Sequence, residues 1–238
     1  IEGARTGPVL SFTRGEDPNC LLTGLVISAG RGARAGAILC VRSSPTFVNC
    51  LIVGNRATDS QGAAIYCQDS RAWFDNCTIA DNVGGTLGGA LVLRDSDVTL
   101  RHSIVWDNRP AAIVLDGDSN PSITYCAVAG GWLGADNIEA DPFFARPGRW
   151  ADPDRLQEDV QPSRSGAVWV AGDYRLRSRV GRWDPQTRTW VQDVVTSPCI
   201  DAGDPTAPVD AEPAPHGDII NLGAYGGTPQ ASKSAAGL

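Results

Sequence analysis

Five copies of one nine-residue pattern run through the first half of the chain. They are Leu22–Gly30, Phe47–Asn55, Phe74–Asn82, Leu100–Asn108 and Ile123–Gly131, separated by 25, 27, 26 and 23 residues. A second segment repeats in step: Ala37-Ile38-Leu39-Cys40, Ala64-Ile65-Tyr66-Cys67, Ala90-Leu91-Val92-Leu93 and Ala112-Ile113-Val114-Leu115. Turn formers lie between the two, as in Ser43-Ser44-Pro45, Asp69-Ser70, Asp95-Ser96-Asp97 and Gly117–Pro121. Each repeat therefore holds at least two short strands and leaves no room for an amphipathic helix. This excludes βαβ units and leucine-rich repeats with real helices. Short strands, tight turns and this period predict an all-β fold, a right-handed parallel β-helix of about five coils.

In such a coil, residues at equal repeat positions lie one above another, about 4.8 Å apart. Three inward columns follow: Leu22, Phe47, Phe74, Leu100, Ile123; then Leu25, Cys50, Cys77, Ser103, Cys126; then Ile27, Ile52, Ile79, Val105, Val128. On the other strand Ile38, Ile65, Leu91, Ile113 run beside Cys40, Cys67, Leu93, Leu115. Asn55, Asn82 and Asn108 form a turn column whose stacked amides are expected to hydrogen-bond as a structural ladder. Cys40 over Cys67, and Cys50 over Cys77, come within disulfide reach. Stacked side chains point in parallel, however, which favours a ladder of buried thiols acting as small hydrophobes. The opposite face of the first strand carries Leu51, Val53, Ile104 and Trp106, and a sheet face that apolar needs a cover.

The period is lost after residue 135. We expect residues 1–135 to be the coils, 136–230 a loop and capping segment packed on them, and 231–238 a flexible tail. Ala145–Arg164 reads as a long surface loop with one helical turn near Arg155–Glu158. Strand-like runs follow at Ala167–Val170, Tyr174–Arg179 and Thr189–Val195.

A net charge of −7 excludes a nucleic-acid partner, because phosphate neutralisation needs clustered Lys and Arg. No run of about 18 apolar residues predicts a membrane span. The seven cysteines are an odd number, so at least one stays unpaired within the chain. The opening Ile1-Glu2-Gly3 and the lack of Met point to a piece of a longer protein.

The segments Ser43–Cys50 and Phe74–Asn82 resemble the repeats of right-handed parallel β-helix proteins with a pectin-lyase-like fold, a family abundant in planctomycetes and related bacteria. Gly130-Gly131-Trp132, Asn137–Phe144, Ser197–Pro205 and Ile220–Gly227 are similar to its C-terminal signature. The resemblance covers nearly the whole chain. It implies the fold and a secreted or cell-surface, bacterial setting, and it is unspecific for activity. Family members usually carry more coils and an N-terminal cap before a segment like Ile1–Phe12, which again suggests a fragment. The Arg101-His102-Ser103 copy departs from the Asn-Cys motif.

Polysaccharide lyases and hydrolases on this fold place Asp, Arg or Lys on one outer strand face. The outer candidates here are Asp75, Arg101, His102, Asp81 and Asp107, with Arg94 and Asp95 on the neighbouring turn. Arg101, Asp75 and His102 are the catalytic candidates for a lyase acting on acidic glycans, weighed against a solvated ion pair. Asp201, Asp204, Asp210 and Asp218, in a Gly/Pro-rich tail, are candidates for Ca2+, weighed against ordinary turn formation. Trp132, Trp150, Trp169, Trp183 and Trp190 fall near or in the cap, and a row of them, Trp132, Trp150 and Trp183 foremost, is a candidate for stacking on sugar rings, weighed against covering the apolar outer face. The leading expectation is a non-catalytic extracellular module, structural or glycan-contacting. The alternatives are a carbohydrate-active enzyme and a self-assembling surface component. Its partners would be a polysaccharide, neighbouring copies or the rest of a parent protein.

Overall fold

The computed structural model describes residues 1–3, 6–164 and 166–235. Three parallel sheets of five strands each form the coils. Sheet I contains Leu10–Phe12, Ala35–Val41, Ala63–Gln68, Gly89–Arg94 and Ile113–Asp116. Sheet II contains Leu21–Thr23, Thr46–Val48, Trp73–Asp75, Thr99–Arg101 and Ser122–Thr124. Sheet III contains Val26–Ser28, Leu51–Val53, Thr78–Ala80, Ile104–Trp106 and Ala127–Val128. Every element of the described residues is a strand, and none is a helix long and apolar enough to cross a membrane.

Single residues with positive φ make the corners. Arg42, Asp69, Asp95 and Gly117 turn sheet I into sheet II; Asn49, Asn76, His102 and Tyr125 turn sheet II into sheet III. The left-handed conformation costs most residues about 1–2 kcal/mol, least for Gly, Asn and Asp, which explains the Asn and Asp in these columns. The column registers are those the repeat predicts. Leu22, Phe47, Phe74, Leu100 and Ile123 pair in sequence, as do Ile27, Ile52, Ile79, Val105 and Val128. From Phe47 and Ile27 onward these side chains are sealed from solvent. Leu115 departs from expectation: its strand is the outermost of sheet I, and the side chain is 45% exposed.

The corners carry three hydrogen-bonded ladders. In the Asn ladder, Asn55 Nδ2 donates to Asn82 Oδ1 and Asn82 Nδ2 to Asn108 Oδ1, both at 3.0 Å. The serines read only as turn formers make a second ladder. The amide of Ser43 donates to Ser70 Oγ, Ser70 N–H to Ser96 Oγ, and Ser96 N–H to Ser119 Oγ. The cysteine column makes the third. The thiols of Cys50, Cys77 and Cys126 and the hydroxyl of Ser103 each donate to the carbonyl two residues back, at 3.4, 3.4, 3.2 and 2.8 Å. Cys77 N–H donates in turn to Ser103 Oγ, and Ser103 N–H to Cys126 Sγ. Ser103 fits this column because the position asks for an X–H group, and these thiols are polar rungs as well as small hydrophobes. All seven cysteines are free.

The rest of the chain lies along sheets II and III. Three strands stand where a loop and a helical turn were expected: Phe144–Arg146, Arg149–Asp152 and Arg155–Asp159. Arg149–Asp152 pairs antiparallel with both Arg155–Asp159 and Val168–Val170, and Phe144–Arg146 with Asp173–Leu176. Arg182–Asp184 and Thr189–Val191 form a hairpin. Phe144, Tyr174, Leu176, Cys199, Ile200, Leu222 and Ala224 bury Leu51, Val53 and Ile104 of the apolar outer face, with Trp106 packed at the edge. Burial of each large side chain stabilises by about 1.5–3 kcal/mol. The expected free tail is docked over Ala231–Ser234: Ala231, Ser232 and Ser234 are buried, and Lys233 bridges Gly181. Residues 236–238 of that expectation lie outside the described residues.

Candidate functional site

The corner after sheet III has positive φ at Ala29, Gly54, Asp81, Asp107 and Gly130. At Asp81 and Asp107 this corner places two carboxylates one coil apart, each next to a ladder asparagine. Val83 and Arg109 follow them and are bridged in parallel. The capping strands form the opposite wall. Trp150 and Trp169 are cross-strand partners, with ring centroids 5.4 Å apart at 60°. Between these walls lies a cleft of about 240 Å³, lined by both aspartates, Arg109, Arg149, Trp150, Asp159 and Trp169 among others.

Local packing fixes its shape. The Trp169 ring lies directly on Gly54, where a Cβ would come within 2.1 Å of it, and the same holds at Gly148. Arg56 pins the far loop through Nη1 to the Pro162 carbonyl at 2.6 Å. Arg149 is held by Asp159 at 2.7 Å and by the Leu156 carbonyl. The indole nitrogens of Trp150 and Trp169 are buried without an acceptor among the described residues.

Asp81 is anchored from behind. The hydroxyl of Tyr174, itself buried, donates to Asp81 Oδ2 at 2.5 Å and accepts from Gly148 N–H at 3.2 Å. Burial pushes the Asp81 carboxyl up to about 6, with the Asp107 charge adding to the rise and the Tyr174 hydrogen bond opposing it. Burial also raises Asp107, helped by Asp141 and opposed by Arg109. Burial, with the adjacent Asp81 carboxylate, pushes the Tyr174 phenol up in its turn.

A carboxyl raised in the folded state keeps a proton that the unfolded chain, near 3.8, has released. Its contribution is fully present below about pH 3.8 and is lost as pH rises through about 6. Asp81→Asn removes that loss. We expect it to be more stable than the parent at pH 8 by about 1–2 kcal/mol, the carboxyl being only partly enclosed. Urea midpoints at pH 4 and pH 8 check this; an equal pH response in parent and variant would contradict it.

The other candidates fall elsewhere. Asp75 and Arg101 pair in backbone register, yet their side chains part. Asp75 bonds His102 Nδ1 at 2.9 Å, and Arg101 pairs with Asp204. His102 is buried beneath the C-terminal segment, its Nε2 without a partner among the described residues. That segment is held by Asn49 Nδ2 on the carbonyls of Ala224 and Gly226, Asn76 Nδ2 on those of Asn221 and Gly223, and Thr78 Oγ1 on Ala224 N–H.

The four tail aspartates are not brought together. Asp201 receives Gly217 N–H, Asp204 holds Arg101 and Thr206, Asp218 faces His216, and Asp210 is exposed. Among the described residues no group of three or more His, Cys, Asp or Glu is placed to hold a metal ion. Trp132 packs on the end of the coil core, and Trp183 pairs with Trp190 in the hairpin. Of the three foremost tryptophans, Trp150 lines the cleft and Trp132 and Trp183 do not. Trp169, named with the other cap tryptophans, lines it as well, whereas Arg109, Arg149 and Asp159 carry no sequence signal as site residues. A readable signal existed for the coil-wall carboxylates: Asp81-Asn82 and Asp107-Asn108 recur one repeat apart.

Residues 17–134 match the family model described as the right handed beta helix region. The coils are those of a right-handed β-helix. The match ends where the period ends, so the capping strands, and with them one wall of the cleft, lie outside it. Searches of curated proteins and of solved structures found no match to the chain.

Proposed function

We propose that this β-helix is a glycan-contacting module, exposed outside the cell or on its surface, whose cleft receives one sugar ring. The observation that carries the reading is the composition of the cleft wall. The aromatic pair Trp150 and Trp169, beside the Arg149–Asp159 ion pair on the capping wall, faces Asp81, Asp107 and Arg109 on the coil wall. Sugar recognition uses such a combination: apolar ring faces stack on indole, while hydroxyls need fixed donors and acceptors. The cleft is smaller than the about 300–1,000 Å³ of drug-sized sites, which suits a single ring of a chain crossing it. A wholly structural module would need the cap, and would have no use for charged groups held along its seam.

The test is titration calorimetry against a panel of neutral and acidic oligosaccharides. Binding that weakens at least about 10-fold in Trp150→Ala, a loss of about 1.4 kcal/mol, supports the reading. Affinity unchanged in that variant, or no binding across the panel, would remove it. The alternative of a lyase using Arg101 finds less support, since Asp204 occupies that guanidinium.

A further inference from the structure

We propose that the ring received by this cleft carries a positive charge: its preferred ligand is an amino sugar whose ammonium sits between the carboxylates of Asp81 and Asp107. The inference rests on the glycan-contacting reading and names the class of sugar. Asp81 N–H donates to the carbonyl of Trp106 at 3.3 Å, so Asp81 and Asp107 stand at one corner position on successive coils, and both line the cleft. Neither is neutralised by a neighbour. Asp107 is exposed, and its carboxylate has no hydrogen-bond or ion-pair partner among the described residues. The groups closest to Asp81, the Tyr174 hydroxyl and the Gly148 amide, are neutral donors.

The cations of the cleft do not fill this gap. Arg149 is spent on Asp159 and on the Leu156 carbonyl. Arg109 acts on both carboxylates through space and pairs with neither. With Arg149 and Asp159 cancelling, two carboxylates face one guanidinium, and the balance is negative. Asp141 adds to it from beside Asp107. Burial leads the rise of the Asp81 carboxyl, and the Asp107 charge adds to it. An incoming cation relieves both, because it favours the ionised form of each group.

The opposite wall selects the cation. A metal ion fits poorly: indole offers it no oxygen ligand, and among the described residues no group of three or more His, Cys, Asp or Glu is placed to hold one. A primary ammonium brings three N–H donors, enough for both carboxylates and one further acceptor. Trp150 and Trp169 serve the ring that bears it. The apolar C–H face of a sugar packs on indole, and an ammonium within about 6 Å of an aromatic centroid is attracted by its π face as well. The chain as a whole carries −7, which draws cationic sugars toward the cleft and repels uronates.

The experiment titrates the whole chain with the trisaccharides of glucose, N-acetylglucosamine and glucosamine, which share one β-linked backbone and differ only in a hydroxyl, an acetamide or an ammonium. Calorimetry at physiological ionic strength, which suppresses attraction to the surface at large, gives the affinities. We expect the glucosamine form to bind at least about 10-fold tighter than either neutral form. Asp107→Asn and Asp81→Asn should each cut that ratio at least about 5-fold. Arg109→Gln should raise it, since the guanidinium competes for the same carboxylates. At about pH 5, where Asp81 keeps its proton, the glucosamine form should also release protons on binding, and the neutral forms should not. Titration in buffers of different ionisation enthalpy reads this release. Circular dichroism establishes that each variant is folded; Asp107→Asn, at an exposed position, decides the matter if Asp81→Asn is not.

Equal binding of the three trisaccharides, or weaker binding of the glucosamine form, overturns the amino-sugar proposal and leaves the glycan-contacting reading standing. A preference for glucosamine that both aspartate variants leave undiminished also overturns it, because the ammonium then sits elsewhere. Binding of none of the three overturns it as well, and the wider panel of oligosaccharides then decides the reading on which it rests.

Discussion

Phe74→Ala should lower the unfolding free energy by about 3–5 kcal/mol, the largest loss expected from any single side chain of the β-helix. Phe74 is fully buried at the middle of its column. Its ring stacks on that of Phe47 with centroids 4.9 Å apart and planes 5° from parallel, and Phe12 meets Phe47 edge-on at 5.7 Å. Below it Leu100 continues the column in register. Truncation removes the stacking partner and leaves a void between two coils whose spacing is set by backbone ladders, so the walls cannot close on it. Phe74→Leu should lose far less, because Leu100 shows that the column accepts leucine. Chemical denaturation of the parent and both variants gives the comparison; similar losses for Ala and Leu would mean that the coils collapse around the gap.

Asn82→Ala should cost about 3 kcal/mol or more, and more than Asn108→Ala. Asn82 is fully buried. Its Oδ1 accepts from the Asn55 amide at 2.9 Å and from Asn55 Nδ2 at 3.0 Å; its Nδ2 donates to the Ile52 carbonyl at 2.8 Å and to Asn108 Oδ1 at 3.0 Å. Alanine strands groups on both neighbouring coils where water does not reach, at about 1–3 kcal/mol for each buried group left unpaired. Asn108 stands at the end of the ladder and is only half-buried, so solvent can replace part of what it loses. Thermal or urea unfolding of the two variants tests the order. A larger loss for Asn108→Ala would contradict the ladder argument.

The coils were legible because the chain states the same instruction five times. When Phe47, Phe74 and Leu100 recur at one phase, register follows without knowledge of anything distant. The cap offers no second copy to compare. Pro147, Gly148 and Asp152-Pro153 read locally as loop; Pro147-Gly148 and Pro153-Asp154 do connect elements, but Asp152 ends a strand and the elements they connect are short strands. Arg155–Asp159 is exposed at every residue, so it has no apolar alternation to betray a strand. Its pairing with Arg149–Asp152 is decided by that neighbour and not by its own side chains. The cleft divides along the same line. Asp81 and Asp107 sit on the repeat and were visible as outward carboxylates, whereas Trp169, Arg149 and Asp159 reach them from sequence that no periodicity connects. Similarly, Asn49 and Asn76 were visible as part of a motif, but their amide bonds to the 221–226 segment depend on contacts 145–177 residues away.

A stack of coils joined by Asn, Ser and Cys rungs is thermodynamically a one-dimensional chain, in which each layer answers only to the next. Such an object would unzip from its ends. The C-terminal half changes that. The 221–226 segment grips Asn49, Asn76 and the His102 carbonyl on three successive coils, and Tyr174 and Asp204 add Asp81 and Arg101. It works as a splint laid across the layers. No middle coil can open without releasing the splint from its neighbours, so melting is expected to become one concerted event for the splinted coils. The first coil, where Leu21 and Val26 are exposed, is left to fray by itself.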